Sequence, residues 1–398
     1  MNLPRLDILI YAHDGRGLGH ASRGITIGMA LRRLYPRLRV LFVSGCRASQ
    51  ELIGPAPLDW LKLPSYETEV VEGKSRGIPG NSLFSDRELG ELRADQLQQI
   101  ATIYRPRLIL SDHTPQGKHR ELIPALKATK AGDTCWVLGI RGVLGTVPQA
   151  QSQFAGELFR KQYQALLWYG DSHILGHEHR RQLQEHYGMQ PTECGYVSRL
   201  RELYYLEGAR QASGKNKKYA GTVAVPWLGE KSISFIRELA GALQALGAGH
   251  GSWRIFLDMG SSESVRSEIR ELFAPLNHCQ LEPPSGARYV EALLQSRTAV
   301  VYGGYNSLMD VLALNLPAVV VLREMQDDEQ QLHLEKLGKA VGGLLQPVEE
   351  SQAEAAHLTT CLLRNLKRSE PPAHTIFLDG AERAAQRLRQ LLDMQRTE

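Results

Sequence analysis

The stretch from residue 299 to residue 331 constrains the fold of this chain more than any other. Residues 299–302 (Ala-Val-Val-Tyr) form a short apolar run, which is typical of a buried parallel strand. Gly303 and Gly304 follow directly, and a glycine pair allows the backbone to turn sharply and to approach a ligand closely. The pattern therefore predicts a buried strand that ends in a tight turn.

A helix and a second strand complete this unit. Asn306 and Ser307 are residue types that cap helix N-termini, and apolar residues recur at helical spacing from position 308 to position 314. Pro317 stops the helix because it has no N–H group, and residues 318–322 form another apolar strand. A glycine turn at a helix N-terminus favours the binding of phosphate. Such turns are also common in α/β domains as purely structural features.

This unit resembles the nucleotide-sugar signature of family-28-type glycosyltransferases, which include the peptidoglycan lipid-intermediate N-acetylglucosaminyltransferase and a bacterial "predicted glycosyltransferase" group. The signature is a GG-x-x-[ST]-x-x-E turn and helix followed by P…(D/E)-x-Q. The resemblance implies the α/β GT-B fold, in which two Rossmann-like, doubly wound domains face each other across a cleft. It assigns donor contacts to six residues: Gly303, Gly304, Asn306 and Ser307 at the diphosphate, Asp310 at the ribose and Gln330 at the sugar. Glu is usual at position 310, so the shorter Asp places its carboxylate one methylene further from the ribose.

A second strand–loop–helix unit opens the chain. Residues 6–12 precede a loop with alternate glycines, and a helix rich in Ala, Ile and Leu then reaches about residue 34. The loop lacks the G-x-G-x-x-G fingerprint of dinucleotide-binding folds, and no acidic residue closes the next predicted strand, 40–44. The sequence therefore predicts no nicotinamide cofactor.

The same loop is similar to the G-x-G-H-x-x-R loop of the acceptor-side domain in these glycosyltransferases, with matches at Gly17, Gly19, His20 and Arg23. The match implies that His20 lies at the reaction centre. An imidazole with a pKa near 6.5 suits a general base that takes a proton from an acceptor hydroxyl. The alternative is a histidine that only caps the helix.

Polar residues follow two further predicted strands. Asp112 and His113 come after the apolar run 107–111, at the strand end where open α/β sheets place ligand contacts. We expect them to orient an acceptor or to assist His20; the alternative is that Asp112 caps the next helix. Arg141 ends another strand and is assigned by the resemblance to the acceptor side.

With 398 residues the chain is too long for one ordinary core, so two domains are expected. The predicted organisation is an acceptor-binding Rossmann-like domain at 1–199, a polar connection at 200–219, a nucleotide-sugar-binding Rossmann-like domain at 220–376 and a C-terminal helix, 377–398, that packs back on the first domain. Arg199 lies in the segment that crosses between the domains and is expected to reach the donor phosphates.

Three further stretches of the first domain carry weaker patterns. Residues 64–88 are polar and are predicted to form a long loop, which could cover an acceptor. Residues 152–169 are predicted to form one helix, and residues 173–176 a strand.

The loop at 226–230 (Pro-Trp-Leu-Gly-Glu) departs from the family pattern. In relatives this loop is glycine-rich and lies against the donor diphosphate. Here Pro226 removes one backbone donor and Trp227 adds bulk. Either the donor is held differently, or the activity has drifted or been lost.

The bulk composition excludes several other classes of protein. The formal charge is only +4, and no basic run with interleaved aromatic residues indicates nucleic acid. No apolar run approaches the roughly 20 residues that span a bilayer, and the N-terminus has no signal-peptide pattern. The five cysteines have no metal-ligand spacing, so we expect no metal site and reduced thiols in a cytoplasmic protein.

Together with these patterns, the resemblance implies a glycosyltransferase that moves a sugar from a nucleotide-diphosphate sugar, with inversion and without a metal. The resemblance also implies that the nucleotide is UDP. The acceptor is a small molecule or a lipid-linked one, as in natural-product or cell-envelope glycosylation, and a lipid acceptor would bring the protein to a membrane surface. Two alternatives stay open: a nucleotide-sugar hydrolase or epimerase on the same scaffold, and a non-catalytic GT-B binding protein.

Overall fold

The computed structural model of the chain divides into two units. Unit 1 contains Met1–Leu206 and Phe377–Glu398, and unit 2 contains Glu207–Ile376. The residues that the structure describes are 5–13, 18–71, 74–78, 83–129, 133–144, 151–207, 217–229, 231–258, 262–323, 329–368, 370 and 374–395, with the backbone alone described for 67–71, 74–78 and 207.

Unit 1 alternates strands with helices. Its strands are β1 (Ile8–Ala12), β2 (Val40–Ser44), β3 (Asp59–Lys62), β4 (Glu67–Val71), β5 (Lys74–Ile78), β6 (Leu108–Asp112), β7 (Cys135–Arg141), β8 (Ala165–Tyr169) and β9 (Thr192–Glu193). Its helices are α1 (Gly19–Leu34), α2 (Ser49–Ile53), α3 (Asp86–Tyr104), α4 (Ile123–Ala128), α5 (Gln153–Gln162), α6 (Ser172–Leu175), α7 (Glu178–Tyr187) and α8 (Arg199–Glu207).

The main sheet of unit 1 is parallel and has the strand order β3-β2-β1-β6-β7-β8-β9. β1 is buried along its whole length because every one of its residues is apolar and helices cover both faces of such sheets. The direction of winding reverses between β1 and β6. In open α/β sheets the crevice at the carboxyl ends of two such strands is the usual ligand site.

Unit 2 has the same construction. Its elements are β10 (Tyr219–Val225), α9 (Ser232–Leu246), β11 (Ser252–Leu257), α10 (Glu263–Phe273), β12 (Cys279–Glu282), α11 (Gly286–Leu294), β13 (Ser296–Tyr302), α12 (Tyr305–Ala313), β14 (Ala318–Leu322), α13 (Glu329–Ala340), β15 (Leu345–Glu349) and α14 (Ala355–Leu366). The sheet is parallel with the order β12-β11-β10-β13-β14-β15, so the winding reverses between β10 and β13. The predicted class of two Rossmann-like α/β units is therefore confirmed.

The last helix, α15 (Gly380–Met394), belongs to unit 1. It packs against α1, and its apolar residues Ala384, Ala385, Leu388 and Leu392 join the core cluster that contains β1. Arg107, just before β6, donates from Nη2 to the carbonyl oxygen of Leu392 at 2.6 Å. Residues separated by almost the whole chain thus share one core.

Two predictions for unit 1 were wrong because short apolar runs fit a helix and a buried strand equally well. Residues 165–169, predicted as the end of a helix, form β8 and are all buried. Residues 173–176, predicted as a strand, belong largely to α6. The Asp171 side chain accepts a hydrogen bond from the N–H of His173 at 2.9 Å and so caps that helix.

Two stretches predicted as irregular contain regular structure. Within 64–88 the strands β4 and β5 form an antiparallel hairpin, and α3 begins at Asp86. The polar connection predicted at 200–219 begins with α8. No helix among the described residues is long and apolar enough to cross a membrane.

Candidate active site

Three histidines and an aspartate meet at the crevice between β1 and β6 in unit 1. His13 follows β1, His20 lies in the first turn of α1, and Asp112 and His113 end and follow β6. The ring centroids are 4.0 Å apart for His13 and His20, 5.1 Å for His20 and His113, and 5.7 Å for His13 and His113. We call these four residues the histidine cluster.

Asp112 holds His20 and Arg23 together. Oδ2 of Asp112 accepts a hydrogen bond from Nδ1 of His20. Arg23, one turn further along α1, places Nη2 3.1 Å from Oδ1 and 3.3 Å from Oδ2. A carboxylate can only accept, so we assign the proton of His20 to Nδ1 and the lone pair to Nε2. Of the two predicted roles for Asp112, the structure contains the contact with His20; Asp112 is the last residue of β6 and caps no helix.

His113 adopts a strained backbone conformation. Its φ is 74°, a value that residues other than glycine rarely adopt. Its N–H donates to the carbonyl oxygen of Gly139 at 2.8 Å. Nδ1 of His113 and Nδ1 of His13 are buried and have no hydrogen-bond partner among the described residues. Strained residues and orphaned polar atoms cluster at functional sites in proteins.

The histidines of the cluster are neutral at pH 7. Burial lowers the pKa of His20 well below 6.5, and the positive charges of Arg23, Arg141 and Lys118 lower it further. Burial likewise lowers the pKa values of His13 and His113, with the neighbouring His20 as the next cause in each case. A neutral imidazole can accept a proton, as a general base must.

Three other residues were assigned to the acceptor side: Arg141, Gly19 and Gly17. Arg141 ends β7, and its charge acts on both His20 and His113. Gly19 begins α1, and a Cβ there would face open space. Gly17 lies outside the described residues.

The donor set of the cluster also resembles a metal site. Possible ligand atoms of His13, His20 and Asp112 lie within 4.8 Å of one another, which is the one such group in the part of the chain that the structure describes. However, the Arg23 guanidinium already pairs with both oxygens of Asp112. A cation placed there would be repelled by Arg23, so we assign Asp112 to His20 and Arg23.

The glycine turn of unit 2 lies at the matching crevice, after β13. A Cβ at Gly303 would come within 2.9 Å of Cδ2 of Leu322 and 3.3 Å of Oε1 of Gln330, whereas a Cβ at Gly304 would meet nothing within 4 Å. Oε1 of Gln330 is buried without a hydrogen-bond partner among the described residues. The structure thus places Gly303 beside Gln330; the donor contacts that the resemblance assigns to Gly303, Gly304 and Gln330 stay predictions.

Helix α12 begins two residues earlier than an N-cap at Asn306 would give. Gly304 is the N-cap, with φ −67° and ψ 144°, and no side chain caps the helix there. Asn306 and Ser307 are therefore first-turn residues, and the prediction that they are N-caps was wrong. Their N–H groups are among those that have no partner within a helix.

Asp310 lies one turn further along α12, on the same helix face as Asn306. Burial raises the pKa of the Tyr289 hydroxyl well above 10, and the charge of Asp310 raises it further. Asp310 is itself half-buried. Arg199 lies in unit 1, where its Nε donates to the carbonyl oxygen of Leu52 at 2.9 Å, so its predicted role at the donor stays a prediction.

The sequence did not single out three residues near these sites: His13, Lys118 and Arg323. His13 directly follows the strand that borders the crevice, and this position was a usable signal. Lys118 is brought near the histidines by the chain that follows β6, and its charge lowers the pKa of both His13 and His20. Arg323 directly follows β14, where its guanidinium stacks on Trp227.

The sequence matches neither a family profile nor a curated protein. Solved structures, in contrast, match nearly the whole chain. They include a UDP-GlcNAc 2-epimerase from Methanocaldococcus jannaschii (11% identity, 97% of this chain and 100% of that one, TM-score 0.60), MurG from Acinetobacter baumannii (12%, 99% and 100%, 0.53) and UGT71G1 from Medicago truncatula in complex with UDP-glucose (12%, 98% and 94%, 0.56). At such identities the likeness concerns the fold alone. The chain therefore has the GT-B fold that its sequence predicted.

Proposed function

We propose that the protein is a glycosyltransferase that moves a sugar from a UDP-sugar to an acceptor hydroxyl or amine, with inversion and without a metal. The observation that carries this proposal is the pairing of His20 with buried Asp112 at the crevice of unit 1. It is supported by the open glycine turn at the N-terminus of α12 in unit 2. Solved structures of two proteins that share this fold contain UDP or UDP-glucose.

His20 would act as the general base. With its Nδ1–H held by Asp112, Nε2 takes the proton from the acceptor as the acceptor oxygen or nitrogen attacks the anomeric carbon. The negative charge of Asp112 then stabilises the imidazolium that forms, as in other His–Asp pairs. Arg23 keeps the carboxylate in place through its two contacts.

The glycine turn would stabilise the departing diphosphate. First-turn N–H groups of α12 and the positive end of its dipole offer fixed donors for the charge that develops on the leaving group. Asp310 would bind the ribose hydroxyls, and the orphaned Oε1 of Gln330 would accept from a sugar hydroxyl. These groups do without a metal what Mg²⁺ does in other transferases.

Two substitutions separate binding from chemistry. We expect Asp310→Ala to weaken UDP binding in calorimetry, because a carboxylate that accepts from two hydroxyls is lost. We expect His20→Ala to leave UDP binding unchanged and to lower turnover by about 10²–10⁴-fold, the range of a general base. Undiminished turnover in His20→Ala would show that the base is another group.

A second candidate is a nucleotide-sugar epimerase or hydrolase, since several of the structural matches are UDP-GlcNAc 2-epimerases. The test is incubation with UDP-sugars and no acceptor, followed by NMR of the sugar. A transferase leaves the donor intact, a hydrolase releases free sugar and an epimerase converts one UDP-sugar into another. A protein that binds no UDP or TDP in calorimetry would instead be a non-catalytic member of this fold.

A further inference from the structure

The guanidinium group of Arg323 is almost completely enclosed by unit 2, and its side chain is only 6% exposed. Its Cζ lies 3.5 Å from the ring centroid of Trp227 and 4.1 Å from that of Tyr302. Nε donates to Glu350 at 3.1 Å, and Nη2 donates to the carbonyl oxygen of Trp227 at 2.6 Å and to Oγ of Ser232 at 3.1 Å. Two aromatic rings, a carboxylate and two further acceptors therefore fix this group in one orientation.

One nitrogen of this fixed group has no acceptor. Nη1 of Arg323 is buried and forms no hydrogen bond among the described residues. A buried donor that stays unpaired costs about 1–3 kcal/mol, and more when it is charged. The surrounding contacts hold Nη1 in place despite this cost, which indicates that an oxygen atom of a ligand accepts its hydrogen bond.

The position of Arg323 in the fold indicates which ligand this is. Trp227 follows β10, Tyr302 ends β13 and Glu350 follows β15, so the guanidinium lies at the carboxyl edge of the sheet beside the β10–β13 crevice. Tyr302 directly precedes Gly303, where the proposed diphosphate site begins. This inference rests on the proposed function: if the donor binds at Gly303, its diphosphate is the part nearest to Arg323.

We propose that Nη1 of Arg323 donates to a phosphate oxygen of the nucleoside diphosphate. A planar guanidinium suits this role because it presents separate donor edges: Nε and Nη2 pair with the protein, and Nη1 faces the phosphate. Trp227 is then a positioning residue that supports the guanidinium. The contact also replaces a backbone donor that the loop lacks, since Pro226 has no N–H.

The test is calorimetry of wild-type protein, Arg323→Lys and Arg237→Lys with UDP, sodium pyrophosphate and uridine. Lysine keeps a cation for Glu350 but has one ammonium group, which cannot serve both partners at once. We expect Arg323→Lys to weaken UDP and pyrophosphate binding by roughly 10- to 100-fold, as for one charge-assisted hydrogen bond, with uridine unaffected. Arg237→Lys is the matched control, because it makes the same substitution at an exposed arginine of α9 that pairs with Glu268, so its affinity for UDP should stay within about threefold of wild type.

Each outcome has a distinct meaning. Unchanged UDP binding in Arg323→Lys, with binding intact in wild type, overturns the role of Arg323 alone. An equal loss for uridine overturns the assignment to phosphate, and an equal loss in Arg237→Lys overturns the specific role of Arg323. Absence of UDP and pyrophosphate binding in wild type refutes the proposed donor site as well. Melting curves check the fold of each variant; if Arg323→Lys unfolds, a wild-type crystal structure with UDP decides, and Nη1 more than about 3.5 Å from every phosphate oxygen overturns the contact.

Discussion

At the residue scale, His113 combines backbone strain with a buried Nδ1 that has no hydrogen-bond partner in the described part of the chain. Its φ of 74° costs a non-glycine residue about 1–2 kcal/mol, and its Nδ1 is orphaned. His20, its neighbour at 5.1 Å, is held in the opposite way, by a carboxylate that is itself paired with Arg23. The strain at His113 and the firm contact of His20 fit a site in which the protein fixes His20 and His113 contacts a ligand.

We predict that His113→Gly stabilises the protein. Glycine adopts a positive φ without the clash that a Cβ causes, so the free energy of unfolding should rise by about 1 kcal/mol. Urea denaturation measures the change. His113→Ala is the matched control, because it removes the same imidazole but keeps the Cβ; equal stabilities of the glycine and alanine variants would show that the backbone is not strained there.

At the element scale, the β13–α12 turn depends on the two glycines in different ways. A Cβ at Gly303 would press on Leu322 and Gln330, whereas one at Gly304 would enter open space. Gly304 also has φ −67°, which alanine adopts without strain. The first glycine is therefore required by packing, and the second position tolerates a side chain.

We predict that Gly303→Ala lowers the free energy of unfolding of unit 2 by about 1–3 kcal/mol, as overpacking does, while Gly304→Ala changes it by less than about 0.5 kcal/mol. Thermal unfolding of the two variants side by side measures the difference. Equal effects of the two substitutions would contradict the tight contact at Gly303.

Much of this architecture was accessible from the sequence, because it rests on local patterns. The apolar runs of β1, β2 and β14 lie close to their predicted bounds. The errors fell where a short run is ambiguous, as in β8, or where a cap decides, as at Gly304. Periodicity does not distinguish such cases, since packing against distant strands selects the outcome.

The candidate site was predictable only in part, for the same reason. Asp112 and Gly303 were found because each directly follows a predicted apolar strand, and His20 was found because its loop is similar to a loop of known glycosyltransferases. The pairing of Arg23 with Asp112 joins residues that are 89 positions apart, and the enclosure of Arg323 by Trp227 joins residues 96 apart, so no local pattern reveals either contact. The unusual loop at Trp227 was noticed in the sequence, but its partner was visible only in the fold.

At the scale of the whole molecule, the histidine cluster links stability to pH. In the unfolded chain His13, His20 and His113 bind protons near pH 6.5, whereas burial lowers their folded pKa values well below that. As the pH falls below 6.5, the unfolded state therefore binds more protons than the folded state. The contribution of these histidines to the free energy of unfolding is therefore highest above pH 6.5, and it falls as the pH falls towards the folded pKa values.

We predict that the free energy of unfolding falls between pH 6.5 and pH 5.5, by up to about 1.4 kcal/mol per pH unit for each of the three histidines. Urea denaturation across this range measures the slope. His113→Ala should make the slope shallower, whereas substitution of the exposed His177 should leave it unchanged. A stability that is flat across this interval would show that the cluster takes up protons freely in the folded state.

The central claim is that the first turn of α12 holds the diphosphate of a nucleotide sugar. A crystal structure of the protein with UDP tests it most directly. We predict diphosphate oxygens within hydrogen-bonding distance of the N–H groups of Tyr305 to Ser307, with the ribose against Asp310. UDP bound elsewhere on the chain, or a diphosphate that leaves these N–H groups without a contact, would contradict it.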